Sequence, residues 1–234
     1  MRNNLIDFIR GVAFLLMLIH HYYYFNPNSV EMPEIVSNLG VLSRTLFIIL
    51  VGVSIRLFSK DKDKDKDVKF KDKIAINGPY KKSYIIILGG LIISFATYLL
   101  LPNSKIIFFG VLHFIGIVTI LMKGVSSNLY LSVLFGIISL LITEYMKTKE
   151  GSNNIIHLIM GGYTETRNPL DIFPIFQWIP YVSFGIVLGE FLKNSNIDNT
   201  VFEPVEYCGR NSLYLYLLHV IPCIYWYSTK FKQE

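Results

Sequence analysis

The 234-residue chain contains few cysteines and few charged residues. Its two cysteines, Cys208 and Cys223, lie in or beside apolar runs, without the spacing of a metal site or a redox pair. Charged residues make up 17% of the sequence, hydrophobic residues make up 52%, and the mean hydropathy is +0.45. One soluble core of this length cannot bury so many apolar side chains. The composition therefore excludes a disulfide-built domain and predicts a membrane protein.

Lysine is distributed unevenly along the chain. The formal net charge is +5, but the lysines concentrate in the run SKDKDKDKDVKFKDK, where alternating aspartates nearly cancel them. Such low-complexity alternation is typical of a solvated loop rather than of a nucleic-acid interface. We therefore expect no nucleic-acid partner.

Long apolar runs dominate the rest of the sequence. A spanning helix needs about 20 mainly apolar residues, and the candidates are 5–25, 39–58, 83–101, 106–122, 127–146, 172–192 and 209–228. The first has Asp7 near its start and no small-residue cleavage site, so it is expected to be a helix and not a signal peptide. The sixth contains Pro174 and Pro180 and should kink. Together these runs predict an all-α, polytopic bundle of about seven helices in a lipid bilayer.

The basic residues divide unequally between the two ends of these segments. If the N-terminus is cytoplasmic, the inner side receives Arg2, the run 59–82, Lys123, Lys193 and Arg210. The outer side then has mainly Lys105, Lys147, Lys149 and Arg167. The positive-inside rule favours this orientation, with the C-terminus outside the cell membrane. We therefore expect one domain, residues 1–234, with 59–82 as a Lys/Asp-rich cytoplasmic loop.

The first segment, IDFIRGVAFLLMLIHHYYYF, has ionisable groups at both ends, and such groups are costly in hydrocarbon. Helical periodicity places Asp7, Arg10, Phe14 and His21 on one stripe and turns His20 about 100° away. Asp7 and Arg10 are spaced to form a pair, and Arg10 lies roughly 16 Å from His21 along the axis. Taken alone, this helix fits two interpretations equally well. In one, the stripe is functional; in the other, the arginine snorkels to the headgroups and the histidine lies at the membrane interface.

Two further histidines lie in apolar surroundings. FFGVLHFIGIV places His113 in the fourth segment, and GRNSLYLYLLHVIP places His219 in the middle of the last one. A single histidine of this kind is typically structural, but three in separate spans, together with Arg10, indicate a polar pathway or pocket.

Two other ionisable residues near the ends of segments have simpler interpretations. Asp171, at the start of the sixth segment, is expected to cap a helix or to pair with a histidine, and the cap is favoured. Arg56, near the end of the second segment, is expected to be only an anchor at the inner face.

Five blocks of the sequence carry a family resemblance. IDFIRGVAFLLMLIHHYYYF, LFIILVGVSIRLF, FFGVLHFIGI, DIFPIFQWIPYVSFGIVLG and GRNSLYLYLLHVIP resemble, in the same order, blocks of the catalytic domain of the heparan-α-glucosaminide N-acetyltransferase family. The first block is also similar to the membrane acyltransferase-3 family, in which an arginine followed after ten residues by a histidine marks the active helix. Arg10 and His21 have that spacing.

The resemblance implies a membrane acyltransferase that moves an acyl group, usually acetyl, from cytoplasmic acyl-CoA to an amine or hydroxyl on the outer side. A saccharide or envelope component is the expected acceptor, acetyl-CoA the expected donor, and no metal is expected. His21 and His113 are the candidate catalytic residues, with His21 acting as a general base or accepting the acyl group itself. Arg10 and Arg210 are candidate ligands of the CoA phosphates. The supporting residues are Asp7, His20, Asp171 and His219.

Two other functional classes stay open at this point. Assembly into a homo-oligomer is open as well. A small proton-coupled transporter would use His21, His113 and His219 as a relay, and a non-catalytic membrane scaffold would bind no CoA. The sequence shows no detectable inverted repeat and few acidic residues within its apolar runs. Both features disfavour the transporter.

Overall fold

The computed structural model describes residues 4–26, 31–58, 80–148, 155–162, 169–193 and 202–229. Within these ranges the chain forms α-helices and one short 3-10 turn, Asn103–Lys105, and no strand. The helices are α1 (Asn4–Phe25), α2 (Glu34–Phe58), α3 (Lys81–Leu100), α4 (Val111–Val125), α5 (Leu129–Lys147), α6 (Ile155–Met160), α7 (Ile175–Leu192), α8 (Glu203–Arg210) and α9 (Ser212–Ser228). The predicted all-α class is confirmed.

Five of these helices, α1, α2, α3, α5 and α7, are long and apolar enough to cross a membrane. Several of them present large apolar side chains outward, including Leu88, Leu141 and Phe191, which are 58%, 67% and 75% exposed. A surface of this kind is suited to lipid and would be unusual in water. The predicted helical membrane bundle is therefore confirmed. The other two predicted spans contain shorter helices, α4 with 15 residues and α9 with 17.

The shorter lengths of α4 and α9 have local causes that hydropathy alone does not detect. Residues 106–107 were expected to be helical, but the N–H of Ile107 donates to Thr97 Oγ1 over 3.1 Å, and Ser94 Oγ donates to the Ile107 carbonyl over 2.6 Å. These bonds hold the segment against α3, so α4 begins only at Val111. The last predicted span, 209–228, is divided at Asn211, where α8 ends and α9 begins.

Glycines set the closest helix contacts. A Cβ at Gly52 of α2 would lie 2.1 Å from the carbonyl oxygen of Val182, and one at Gly185 of α7 would lie 2.1 Å from that of Ile49. A Cβ at Gly209 of α8 would lie 1.8 Å from the carbonyl oxygen of Asp7. Glycine is required at these positions because the two backbones are in direct contact.

The main apolar core lies where α2, α4 and α7 meet. Its most deeply buried members are Ile48, Phe114, Val118, Met122, Ile179, Val182 and Ile186. Because these side chains come from three helices distant in sequence, the core holds α4 against α2 and α7, whose backbones touch each other at Gly52 and Gly185. Several of the polar side chains described below are carried by the same helices.

Polar side chains gather in two regions of the bundle, toward opposite ends of α1 and α2, and we call these regions its two halves. The arginine half is defined by Arg10, Ser54, Arg56 and Glu190, and the histidine half by His21, Arg44, Asp171 and His219. α1 begins in the arginine half and ends in the histidine half, where Tyr24 stacks on Tyr227 of α9 with ring centroids 6.5 Å apart. The first helix therefore connects the two halves of the bundle. The cytoplasmic position of the N-terminus stays a prediction.

Candidate functional site

Two histidines meet in the histidine half of the bundle. His21 Nδ1 of α1 lies 2.9 Å from His219 Nε2 of α9, and the two rings are stacked with centroids 5.2 Å apart. Phe14 packs edge-on against the His219 ring at 5.7 Å, and Tyr216 does so at 5.3 Å. The two histidines thus form a hydrogen-bonded pair within an aromatic enclosure.

The direction of this hydrogen bond follows from a third group. His219 Nδ1 lies 3.1 Å from the carbonyl oxygen of Leu215, and because a carbonyl oxygen only accepts, Nδ1 carries the proton. In neutral His219 the other nitrogen, Nε2, is then an acceptor and receives the Nδ1–H of His21. This leaves the lone pair of His21 on Nε2, the nitrogen that points away from the pair.

The neighbouring histidine has different contacts. The His20 ring stacks on Tyr24 with centroids 5.7 Å apart and an angle of 16°. It also lies against α2 at Gly40, where a Cβ would come within 2.3 Å of His20 Cδ2. His20 therefore packs at the α1–α2 contact, while His21 turns toward α9.

Arg44 of α2 is a charged residue of this half that was not singled out from the sequence. Its guanidinium lies over the rings of Phe173 and Trp178, 5.9 and 5.7 Å from their centroids. It is also within electrostatic range of His21 and Asp171. The sequence did contain a signal for Arg44, because this arginine lies inside the predicted span 39–58. A charged side chain is costly in hydrocarbon, and Arg10 was identified for the same reason.

His113 lies beside this pair but not in it. The residue is 7% exposed, and both ring nitrogens are buried without a hydrogen-bond partner in the described part of the chain. It lines a cavity of about 10 Å³ together with Asp171 and Tyr216, close to the smallest space that holds one water. Tyr216 also contacts His219, so one aromatic side chain separates the His113 cavity from the histidine pair.

Asp171 caps a helix, although not the one that it precedes. The N–H of Val111, the first residue of α4, donates to Asp171 Oδ2 over 3.0 Å. The segment is held there because the N–H of Phe173 donates to the carbonyl of Phe109 over 2.9 Å. Burial raises the pKa of Asp171, and the N–H groups of Val111 and Ile172 and the charge of Arg44 oppose that shift.

In the arginine half, the predicted Asp7–Arg10 pair is present. Arg10 Nη1 lies 2.9 Å from Asp7 Oδ1, and Arg10 Nη2 donates to Ser54 Oγ of α2 over 3.0 Å. Arg210, in the last turn of α8, is partly exposed and makes no hydrogen bond or ion pair with the residues that the structure describes. Of the two predicted phosphate ligands, Arg210 thus keeps its donors available, whereas Arg10 uses donors within the bundle.

Arg56 joins three parts of the arginine half. Its Nε lies 2.5 Å from Glu190 Oε2 of α7, and its Nη1 donates to the carbonyl of Ser126, between α4 and α5. The expectation that it is only an anchor at the membrane face is wrong, because its partners lie within the protein and far away in the chain. The ion pair is largely buried at Arg56, whose side chain is 11% exposed, and partly exposed at Glu190, whose side chain is 32% exposed.

Within the described ranges, no cluster of three His, Cys, Asp or Glu side chains is arranged to hold a metal ion. A comparison with protein families matches residues 2–221 to the model described as heparan-alpha-glucosaminide N-acetyltransferase, catalytic. No curated protein and no solved structure matches the chain.

Proposed function

The chain belongs to the heparan-alpha-glucosaminide N-acetyltransferase catalytic family, and from this premise we propose that it acetylates a saccharide, using acetyl-CoA as the donor. Its apolar helices make it an integral membrane protein, and the family supports acetyltransferase activity. The observation that carries the proposal is the His21–His219 pair. It provides a partly buried imidazole with one nitrogen available to a substrate.

In the proposed reaction, His21 is the general base. An amine or hydroxyl of the acceptor attacks the thioester carbonyl carbon while His21 Nε2 takes its proton. The new C–N or C–O bond forms, the C–S bond breaks, and the departing CoA sulfur takes the proton back from His21. His219 holds the His21 ring in the tautomer that this step needs, because its own Nδ1–H is committed to the Leu215 carbonyl.

The arginine half is the proposed binding region for the nucleotide end of CoA. Arg210 has donors available for a phosphate, and Arg10 lies on α1, which packs against α8. About 16 Å of helix separate Arg10 from His21, a distance that suits the long, thin pantetheine arm. The proposal places this half on the cytoplasmic side and the acceptor on the opposite side, in keeping with the positive-inside rule.

The proposed function is tested on the purified protein with two measurements. Acetyl-CoA should raise the melting temperature more than free CoA or ATP does, because a ligand that binds only the folded protein stabilises it by mass action. With glucosamine as the acceptor, His21→Ala should lower the rate of thiol release by about 10²- to 10⁴-fold, the usual contribution of a general base. The variant should keep its acetyl-CoA shift.

His20→Ala is the matched control, since it removes the adjacent imidazole from the same helix and should retain most of the rate. Unchanged turnover in His21→Ala, or no thermal response to acetyl-CoA, would contradict the proposal. Uptake of a solute driven by a pH gradient without thiol release would instead favour a transporter. Acetyl label retained on the denatured protein, in the absence of acceptor, would replace the direct transfer by an acyl-histidine route.

A further inference from the structure

Arg44 lies within the bundle, on the part of α2 that is distant from the arginine half. It precedes Ser54 by ten residues, about 15 Å along α2, and Ser54 is the residue that binds Arg10. The backbone beside Arg44 is fixed to α1, because Ser43 Oγ donates to the Ala13 carbonyl over 2.7 Å. The Arg44 side chain is partly exposed, and it lies on a helix long and apolar enough to cross a membrane, where a charge without a function is rare.

Aromatic side chains hold this guanidinium without consuming its hydrogen-bond donors. Phe173 and Trp178 attract the positive charge through their ring faces, and both rings are held in place by their own packing, with centroids 5.1 Å apart. Arg44 makes no hydrogen bond or ion pair with any residue in the described ranges. Its N–H donors are thus held in a defined place and are available to a ligand.

The acidic group of this half does not neutralise Arg44 by direct contact. Asp171 is within electrostatic range, but its Oδ2 accepts the N–H of Val111, and no ion pair joins it to Arg44 among the described side chains. Arg10 and Arg56 differ in this respect, because each has a carboxylate within 3 Å. Gly40, one turn before Arg44 on α2, lies against His20. The charge of Arg44 is therefore near the end of α1 that carries His20 and His21, and it is available to a ligand there.

We propose that Arg44 is the oxyanion-stabilising residue of the proposed acetyl transfer, which this inference takes as its premise. Its N–H groups donate to the acetyl oxygen of the thioester. When the acceptor attacks the carbonyl carbon, the electron pair of the C=O bond moves onto that oxygen while His21 takes the acceptor's proton. As the C=O bond re-forms, the C–S bond breaks and the sulfur receives the proton. Donors fixed in advance at such an oxygen act mainly on the transition state.

The test compares Arg44→Gln, Arg44→Lys and the parent protein in the thiol-release assay. Arg44→Gln should lower kcat by about 10²- to 10³-fold, the usual effect of losing an oxyanion donor, with little change in the KM for acetyl-CoA. Arg44→Lys should retain part of the rate, because it keeps the charge but loses the planar fork of donors. In Arg44→Ala, added methylguanidinium should restore rate, whereas methylammonium should restore less.

Arg210→Gln is the matched control, because it removes another arginine with available donors from the opposite half. It should raise the KM for acetyl-CoA and leave kcat nearly unchanged. A kcat for Arg44→Gln within threefold of the parent, or a change confined to KM, would overturn the oxyanion role. If Arg44→Gln does not fold, a wild-type kcat in Arg44→Lys would overturn that role equally. If His21→Ala loses activity but Arg44→Gln does not, the oxyanion role is overturned and the proposed acetyl transfer stands. If His21→Ala and Arg44→Gln both keep wild-type activity, the proposed acetyl transfer is overturned too.

Discussion

The two halves of the bundle use their charges differently. In the arginine half, Arg10 binds Asp7 and Arg56 binds Glu190 over 2.9 and 2.5 Å, so these charges are satisfied within the protein. In the histidine half, His21 and His219 bind each other, and Arg44 is held by aromatic faces. Paired charges join helices, whereas a donor held in place without a carboxylate is suited to binding a substrate.

The two halves also differ in how their helices meet. In the arginine half, α1 and α8 touch through their backbones at Gly209. In the histidine half, side chains fill the contacts: the α1–α9 contact consists of rings, and a cavity borders His113. We therefore expect substitutions at the paired charges and backbone contacts of the arginine half to affect mainly stability, with Arg210, which is unpaired among the described residues, as the exception. Substitutions in the histidine half should affect mainly activity.

The largest effect is expected at the α1–α8 contact. In Gly209→Ala the new Cβ would lie 1.8 Å from the Asp7 carbonyl oxygen, and a backbone atom cannot move aside without separating the two helices. We expect a loss of about 3 kcal/mol or more in the free energy of unfolding, at the upper end of the overpacking range. The melting temperature of the purified protein measures this loss.

Gly124→Ala is the control for that change. Nothing lies within 4 Å of a Cβ at Gly124, and alanine has the higher helix propensity. The control should therefore melt at or above the temperature of the parent. Equal melting temperatures for Gly209→Ala and Gly124→Ala would show that the backbone contact at Gly209 is not needed.

An intermediate effect is expected from Arg56→Ala. The Arg56 side chain is 11% exposed, and its removal leaves Glu190 Oε2 and the Ser126 carbonyl without this donor. We expect a loss of about 1–3 kcal/mol, measured by unfolding in SDS, with kcat unchanged. Lys147→Ala breaks an exposed ion pair with Glu144 and should have no measurable effect. A large fall in kcat for Arg56→Ala would remove the proposed difference between the two halves.

The smallest effect is the pH dependence contributed by Asp171. Its folded-state pKa is raised above the ordinary value of 3.8 because the carboxyl is buried. The folded protein therefore binds this proton more tightly than the unfolded chain does, so the contribution to stability is full below pH 3.8 and is lost as the pH rises through the folded-state pKa. Asp171→Asn keeps an oxygen for the Val111 N–H and removes the titration.

Melting temperatures of the parent and of Asp171→Asn, measured from about pH 3 upward, test this expectation. The parent should lose stability relative to the variant as the pH rises through that window. Parallel curves would show that the carboxyl keeps its ordinary pKa in the folded protein.

Local patterns predicted the features that depend on one helix. The spacing of Asp7 and Arg10 predicted their pair, because both side chains lie on one helical face three residues apart. Periodicity also distinguished the faces of His20 and His21. Hydropathy predicted the long spans, but it did not detect the bonds from Thr97 and Ser94 that delay the start of α4.

Contacts between distant helices could not be predicted in this way. Local patterns identified both His21 and His219 as candidates but could not pair them, and they predicted a cap at Asp171 without identifying α4 as the helix that it caps. Arg44 was missed because it has no acidic residue three or four positions away. Arg10 has such a partner in Asp7. Its significance depends on aromatic rings near the start of α7, which no local spacing connects to α2.

The sequence by itself determined that this protein is an all-α membrane protein with an acetyltransferase resemblance, because apolar run length and helical periodicity are properties of adjacent residues. The tertiary structure decided which polar groups neutralise one another and which stay available. That outcome depends on how α1, α2, α7 and α9 pack, and therefore on distances between residues far apart in the chain. The lone pair of His21 and the donors of Arg44 are set by that packing.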